Sequence, residues 1–416
     1  MNILFLAKFY TPFDRGGSEW STHDLAYLLT KDGHKVTIVT LNYGAKSQEE
    51  IDGINIIRIP FPIKLKNSKG SIAPFWTSNI VWFIYTTIFC LYLAIKNHYE
   101  IIHVQNNEFL PAGVISAKFS GKKTMATFRD YQTVCSLGFC LWHKNQSCSF
   151  EEYLQNDFEF FYDNYVANKN ILKYYLLKIA VLRAWVMQKI LYFFATHVDY
   201  KVAVSQKVKT VFETNGIKNL KVIHNPVIIG NKLSSSYTNK IIYIGKLSKG
   251  KGVDIFIEAI PKIASRFHDV SFEIIGSGYL KEKLITFVRL AGLQSKVKFA
   301  GHLGHDEALK RVSKSALVVV PSVWPEPLPR SVIETILSGT PVVATNVGGI
   351  SEIIKNNYYG VLAKPRKNDL EKAIIEGFSK KDGLRKNIQA DINKLKNHFS
   401  KEVLTSYERL YEEALK

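Results

Sequence analysis

The sequence predicts an α/β protein of two domains, each built on a parallel, doubly wound sheet. Three observations carry this. At 416 residues the chain is long enough for two complete cores. Short apolar runs alternate with helical stretches in both halves, the pattern of successive βαβ units. A glycine-bearing turn follows the first strand of each half, Gly16-Gly17 in one and Gly245 to Gly252 in the other.

In the first half, Met1 to Ala7 has no basic leader and reads as a buried first strand (2–7) instead of a secretion signal. A loop holding Gly16, Gly17 and Glu19 opens a helix over 18–31, and Gly33 ends it before a strand at 35–40. Further strands fit Asn55 to Ile59, Ile101 to Gln105 and Lys123 to Phe128; their apolar runs suit strands covered on both faces. Between them, Ser71 to Ile95 carries no charge and is close to membrane-spanning length. One crossing would put strands of one sheet on opposite sides of a bilayer, so the run is read as a helix on the sheet with one face dipping into a membrane.

Residues 130–200 form an irregular insertion. An aromatic and acidic stretch, 158–163, precedes a helix from Ile171 to Phe194 that carries Lys173, Lys178, Arg183 and Lys189. A basic amphipathic helix of this kind suits a membrane interface; a long core helix with snorkelling lysines is the alternative.

In the second half, strands at Ile241 to Gly245, Ser271 to Gly276 and Val297 to Ala300 alternate with helices near 252–265 and 279–291. Apolar strands at Ala316 to Val320 and Val342 to Ala344 bracket the most informative segment, and basic amphipathic helices fill about 368–416. The polar stretch 231–240 reads as a surface loop or linker. Domains are placed at 1–205 and 206–390, with a last helix over 391–416.

Charge and cysteine usage narrow the classes. Of 55 Lys+Arg and 36 Asp+Glu, residues 1–200 hold 20 and 16, so residues 201–416 hold 35 and 20 and carry most of the +19 charge. No helix-turn-helix, zinc-finger, RRM or KH pattern accompanies it, which excludes the usual nucleic-acid binders. Solvated lysine-rich faces or attraction to a polyphosphate ligand and an anionic membrane remain. Four cysteines are too few for a disulfide scaffold and fit a reduced, cytoplasmic compartment. Cys135, Cys140, His143 and Cys148 could hold zinc, but the spacing is that of no common site, so no metal is assigned.

The informative segment runs from Trp324 to Thr345. Glu326 lies in a Pro-rich loop after a strand, and Glu334 about two turns into the helix that follows, with Ser331 as the expected N-cap. Free N–H groups at a helix mouth favour a diphosphate, and carboxylates beside them suit hydroxyls. The combination points to a sugar nucleotide. In the other glycine loop, Lys246 and Lys251 suit a diphosphate as point charges, although the spacing is not that of a P-loop. The first half shows Gly-Gly alone where a nicotinamide dehydrogenase needs G-x-G-x-x-G.

Glu326, Glu334 and the following Gly348-Gly349-Ile350-Ser351-Glu352 resemble the E-x7-E region of the retaining glycosyltransferases of family 4. Gly16-Gly17-Ser18-Glu19, Asn225-Pro226 and the Lys246/Lys251 pair extend the resemblance over nearly the whole chain. It implies a GT-B fold: two Rossmann-like domains facing across a cleft, the last helix crossing back to the first. It implies that Glu326 orients the transferred sugar and Glu334 the ribose, with Lys246 and Lys251 on the diphosphate. Gly16 and Gly17 would meet donor phosphate and acceptor; Gly278 and His302 would frame the base; Ser331 and Val332 join the substrate-binding set at the helix mouth. Arg129 and Asp130 are placed with Glu326 as catalytic, Arg129 standing where many members have His. The implied reaction needs no cofactor beyond a nucleoside diphosphate sugar donor. The expected acceptor is a glycan or lipid-linked glycan in cell-surface polysaccharide synthesis, on the inner face of the membrane, with no nucleic-acid partner. A non-catalytic sugar-nucleotide binder is the alternative.

Overall fold

A computed structural model describes every residue except 15, 66–71, 73–75, 137–148, 160–161, 163–165, 167–169 and 231–235. The zinc candidates Cys140, His143 and Cys148 therefore lie outside the described residues; Cys135 is buried. The chain divides into two units, Met1–Pro226 with Phe399–Lys416, and Val227–His398.

The first unit holds β1 (Asn2–Leu6), α1 (Gly17–Lys31), β2 (Lys35–Asn42), β3 (Gln48–Ile51), β4 (Ile54–Pro60) and α2 (Ile80–Lys96). Then come β5 (Ile101–Val104), α3 (Leu110–Ser120), β6 (Lys123–Phe128), α4 (Ile171–Thr196), β7 (Tyr200–Ala203), α5 (Gln206–Thr214) and β8 (Leu220–Val222). The sheet order is β3-β4-β2-β1-β5-β6-β7-β8. Every neighbouring pair is parallel except β3 with β4. That exception was not expected. It is a hairpin turning on Asp52-Gly53, both at positive φ, and its polar Gln48, Glu49 and Glu50 give the sheet a charged edge.

The first unit extends to Pro226 instead of stopping at 205, because the three-residue β8 pairs with β7 and lengthens the first sheet. Its core joins Ile3 and Phe5 of β1, Leu25 and Leu29 of α1, and Ile38 of β2 to residues from the far end of the chain.

The second unit holds β9 (Thr238–Ile244), α6 (Val253–Arg266), β10 (Ser271–Ile275), α7 (Lys281–Leu290), β11 (Val297–Gly301), α8 (His305–Ser313) and β12 (Ser315–Val320). It continues with α9 (Arg330–Leu337), β13 (Val342–Thr345), α10 (Ile350–Ile353), β14 (Gly360–Ala363), α11 (Lys367–Ser379) and α12 (Lys381–Asn397). All strands are parallel in the order β11-β10-β9-β12-β13-β14. This unit runs past 390 to His398 because α12 buries Leu384 and Ile388 in it, and the Arg385 guanidinium donates to the Ser315 carbonyl at 2.6 Å. The last helix, α13 (Val403–Leu415), belongs to the first unit, where Val403, Tyr407, Leu410 and Tyr411 are buried against β1 and α1 residues.

In each sheet the winding reverses beside the first strand: between β1 and β5 in the first unit, between β9 and β12 in the second. Loops at the carboxyl ends of strands that flank such a reversal diverge and leave a crevice, the place where open α/β sheets bind ligands.

Candidate active site

In the second unit the crevice-forming loops are those after β9 and β12. The first contains Lys246 and Lys251, the second Glu326. They are packed backbone to backbone. Gly252, at φ 64°, lies so close to the Pro321 carbonyl that a Cβ would stand 1.8 Å from its oxygen. The Gly250 carbonyl accepts the Val323 N–H at 3.0 Å. Gly276 and Gly278, after β10, close on the same lysine loop, with Cβ positions 1.9 Å from the Gly245 oxygen and 2.2 Å from the Leu247 oxygen. These glycines are needed for close approach, not only for turning.

This packing brings Lys251 to Glu326. The ammonium Nζ lies 2.6 Å from Glu326 Oε1, which also accepts the Ser322 hydroxyl at 2.6 Å. The carboxylate is buried at 5% exposure while Lys251 is only partly covered. Gly348 and Gly349 fix the Glu326 main chain: the Gly349 N–H donates to its carbonyl at 2.8 Å. At Gly348, φ 60°, a Cβ would come within 1.9 Å of the same oxygen. Lys246 remains exposed, and its carbonyl accepts the buried Tyr243 hydroxyl at 2.8 Å.

Glu334 sits fifth in α9, little more than one turn from the start and not two, because the helix begins at Arg330. Pro329 is its N-cap, with no side-chain cap bond; Ser331 lies inside the first turn and does not cap. Proline's fixed φ sets the last non-helical residue, so the helix starts before the serine. Val332 is fully buried. Glu334 Oε1 accepts Arg330 Nε at 2.6 Å and His305 Nε2 at 2.8 Å. Burial alone would raise this carboxyl, but hydrogen bonding from His305 and the Arg330 charge outweigh it and hold the group below the usual glutamate range. Sequence reasoning missed both partners. Arg330 had a signal, since Arg and Glu four apart share a helix face. His305 had none, being 29 residues away in sequence. Gly278 lies in the lysine-loop contact, and His302, after β11, is exposed.

In the first unit, Gly16 is the N-cap of α1 and Gly17 its first residue; among the described residues beyond its chain neighbours, no atom lies within 4 Å of where a Gly16 Cβ would stand. Arg129 and Asp130 directly follow β6, and each has its own partners. Arg129 Nε donates to Asn225 Oδ1 at 2.9 Å and Nη1 to Gln105 Oε1 at 2.6 Å. Asp130 Oδ1 accepts Asn107 Nδ2 at 2.6 Å and the Gln132 N–H at 2.9 Å. Burial pushes the Asp130 carboxyl up to about 6, with Glu108 adding and Gln132, Asn107 and Lys8 opposing. Behind them, buried His103 bridges the Tyr411 hydroxyl at 2.7 Å and the Thr127 hydroxyl at 2.8 Å. Burial, then the Arg129 charge, keeps that imidazole neutral.

Two domain models match the chain: "Glycosyltransferase Family 4" over residues 15–229 and "Glycosyl transferases group 1" over residues 228–394. An uncharacterised glycosyltransferase of Methanocaldococcus jannaschii is 32% identical over 53% of this chain and 62% of its own. A second from that organism is matched over 33% of its length, so the chain spans less than two thirds of either relative. An uncharacterised 42.6 kDa protein from the cps region of Klebsiella pneumoniae is 27% identical over 86% of this chain and 90% of its own. Among solved structures, Anabaena HepE in complex with UDP and glucose superposes with a TM-score of 0.65 at 18% identity, covering 99% of both chains. The two parallel α/β units are thus of the GT-B fold class.

Proposed function

Because this chain belongs to Glycosyltransferase Family 4, we propose that it moves a sugar from a nucleoside diphosphate sugar to a glycan or lipid-linked acceptor, with retention at the anomeric carbon. The observation that carries the reading is the Lys251–Glu326 contact at the winding reversal of the second sheet, made rigid by Ser322 and Gly348-Gly349.

The chemistry follows from what each group can do. An arriving diphosphate draws the Lys251 and Lys246 ammonium groups, and Glu326 then accepts hydrogen bonds from the sugar's hydroxyls. Two donors keep Glu334 ionised, ready to accept the ribose hydroxyls. The bond between the anomeric carbon and the diphosphate oxygen breaks, and the acceptor oxygen bonds to that carbon on the same face. The acceptor proton passes to the departing phosphate oxygen. Charge grows on that oxygen, where the two lysines lower its energy without a divalent ion. Arg129 and Asp130 would meet the acceptor in the first unit. The setting proposed is cell-surface polysaccharide synthesis on the cytoplasmic face of the membrane; the Klebsiella relative's place in a cps region supports the first part.

The test is Glu326→Ala. Transfer from a panel of UDP-, GDP- and ADP-sugars should fall by about two to three orders of magnitude, while UDP still raises the melting temperature. Unchanged transfer, or a wild-type protein that binds donors without turnover, would overturn the proposal.

A further inference from the structure

The first unit carries two helices whose outward faces are apolar. On α2, Val81 is 73% exposed, and Ile84, Ile88, Tyr92 and Ile95 are exposed with it. On α4, Leu172, Tyr175, Leu176, Ile179 and Val186 are exposed. At about 100° per residue each set falls within one arc of roughly 140°, so each is a single face. Phe119, at the end of α3, is also 73% exposed, and α3 packs against both α2 and α4.

The opposite faces are committed to the fold. α2 buries Trp82, Phe83, Cys90 and Leu93; α4 buries Val181, Leu191 and Ala195. The α4 helix is long and apolar enough to cross a membrane. However, Gln188 donates to the Thr133 carbonyl at 2.6 Å, and Tyr192 to the Asn215 carbonyl at 2.8 Å. β7 follows directly in the sheet. The helix therefore lies along the unit and does not leave it.

Charge decides what covers these faces. The three helices carry Lys96, Lys118, Lys173, Lys178, Arg183 and Lys189 and not one Asp or Glu. Lys96, Lys178 and Lys189 each stand over an aromatic ring of their own helix, Tyr92, Tyr174 and Trp185. A second copy would set like charges against each other. A surface of phosphate headgroups over acyl chains supplies both the anions and the apolar medium. We propose that the outward faces of α2 and α4, with Phe119, form a docking surface for an anionic lipid bilayer, on which the protein lies without spanning it. This extends the lipid-linked acceptor reading by naming the surface that would bring the enzyme to such an acceptor. It stands on the helices alone, so either can fail without the other.

The experiment is co-sedimentation of the full chain with vesicles of phosphatidylcholine, with and without about one third phosphatidylglycerol. Binding should require the anionic lipid and fall with salt. The variants Ile84→Glu/Ile88→Glu and Lys178→Glu/Lys189→Glu should each lower partitioning at least about tenfold, since each basic residue near such a surface contributes about fivefold. UDP should still raise the melting temperature of both. Should the glutamate variants misfold, Ile88→Gln with Ile179→Gln gives the same comparison. No sedimentation of the wild type, equal sedimentation of the variants, or a dimer that these changes dissociate would overturn the proposal. Absence of stabilisation of the wild type by all of UDP, GDP and ADP would strike the donor reading and leave docking intact.

Discussion

The Glu334–Arg330 contact permits a quantitative test of the donor half of the site. Both side chains are buried, at 5% and 7% exposure, and the carboxylate also accepts from His305. Replacing Arg330 by Met takes the guanidinium from a buried carboxylate, a change that costs about 3–5 kcal/mol. Glu334→Gln keeps the shape and an acceptor oxygen but sets a buried guanidinium against a neutral amide, at about 2–3 kcal/mol. The double variant removes both charges and should lose less than the sum of the two by at least about 2 kcal/mol. At about 2–4 °C per kcal/mol for a domain of this size, Arg330→Met should melt roughly 10 °C below wild type. The depressed carboxyl fixes the sign with pH. Its contribution is present above the ordinary glutamate range and disappears as pH falls through the lowered folded value, and Glu334→Gln should not show this acid loss. Urea and thermal unfolding followed by circular dichroism measure all of this, and UDP stabilisation is read on the same samples. The double variant should lose less stability than the two single changes summed, and it should not regain UDP binding. Strictly additive effects, or an Arg330→Met loss under 1 kcal/mol, would refute the reasoning.

Two further outcomes are expected. Gly348→Ala must push the Glu326 main chain aside, because the added carbon would lie 1.9 Å from its carbonyl oxygen and 2.5 Å from its nitrogen. Transfer should fall about a hundredfold, and wild-type activity would show that Glu326 is not held for catalysis. Asp130→Asn should flatten the pH dependence of stability: with its carboxyl raised to about 6, the acid form favours folding at low pH and that advantage vanishes as pH rises through 6. The wild type should lose no more than about 3 kcal/mol between pH 4.5 and 7.5, less what partial solvent contact recovers, and parallel profiles for the two proteins would exclude the effect.

Much of this was legible in the chain itself. Apolar runs such as Ala316 to Val320 declare themselves because strands covered on both faces have no room for polarity. The Glu326 loop, the lysine loop and Gly348-Gly349 could each be found, yet nothing in sequence spacing says that their main chains touch; that follows only from the order β9-β12 in the sheet. The Asp52-Gly53 hairpin carries a readable turn signal, since Asp-Gly suits a two-residue turn at positive φ. β8, three residues long, is too short for any periodicity to register. Ser331 misled as a cap because a Ser near a helix start is common, while the preceding proline decides where the helix begins. Arg129 and Asp130 are adjacent in sequence, but the fold gives them separate partners, and sequence distance does not join Asn225, Gln105 and Asn107 to them.

The return of α13 to the first unit bears on how the protein is made. Tyr407 and Tyr411 complete the core around β1 and bond to Thr127 and His103, yet they are synthesised only after the whole of the intervening unit, Val227–His398. At 5–20 residues per second, synthesis of the intervening unit takes roughly ten to thirty seconds. Throughout that interval the first sheet has one flank without its cover, Ile3, Phe5 and Ile38 among the residues awaiting it. A nascent chain in this state is a client for chaperones. A stop codon or a bulky insertion placed near Tyr407 would damage the first unit more than the unit Val227–His398, which is synthesised just before it.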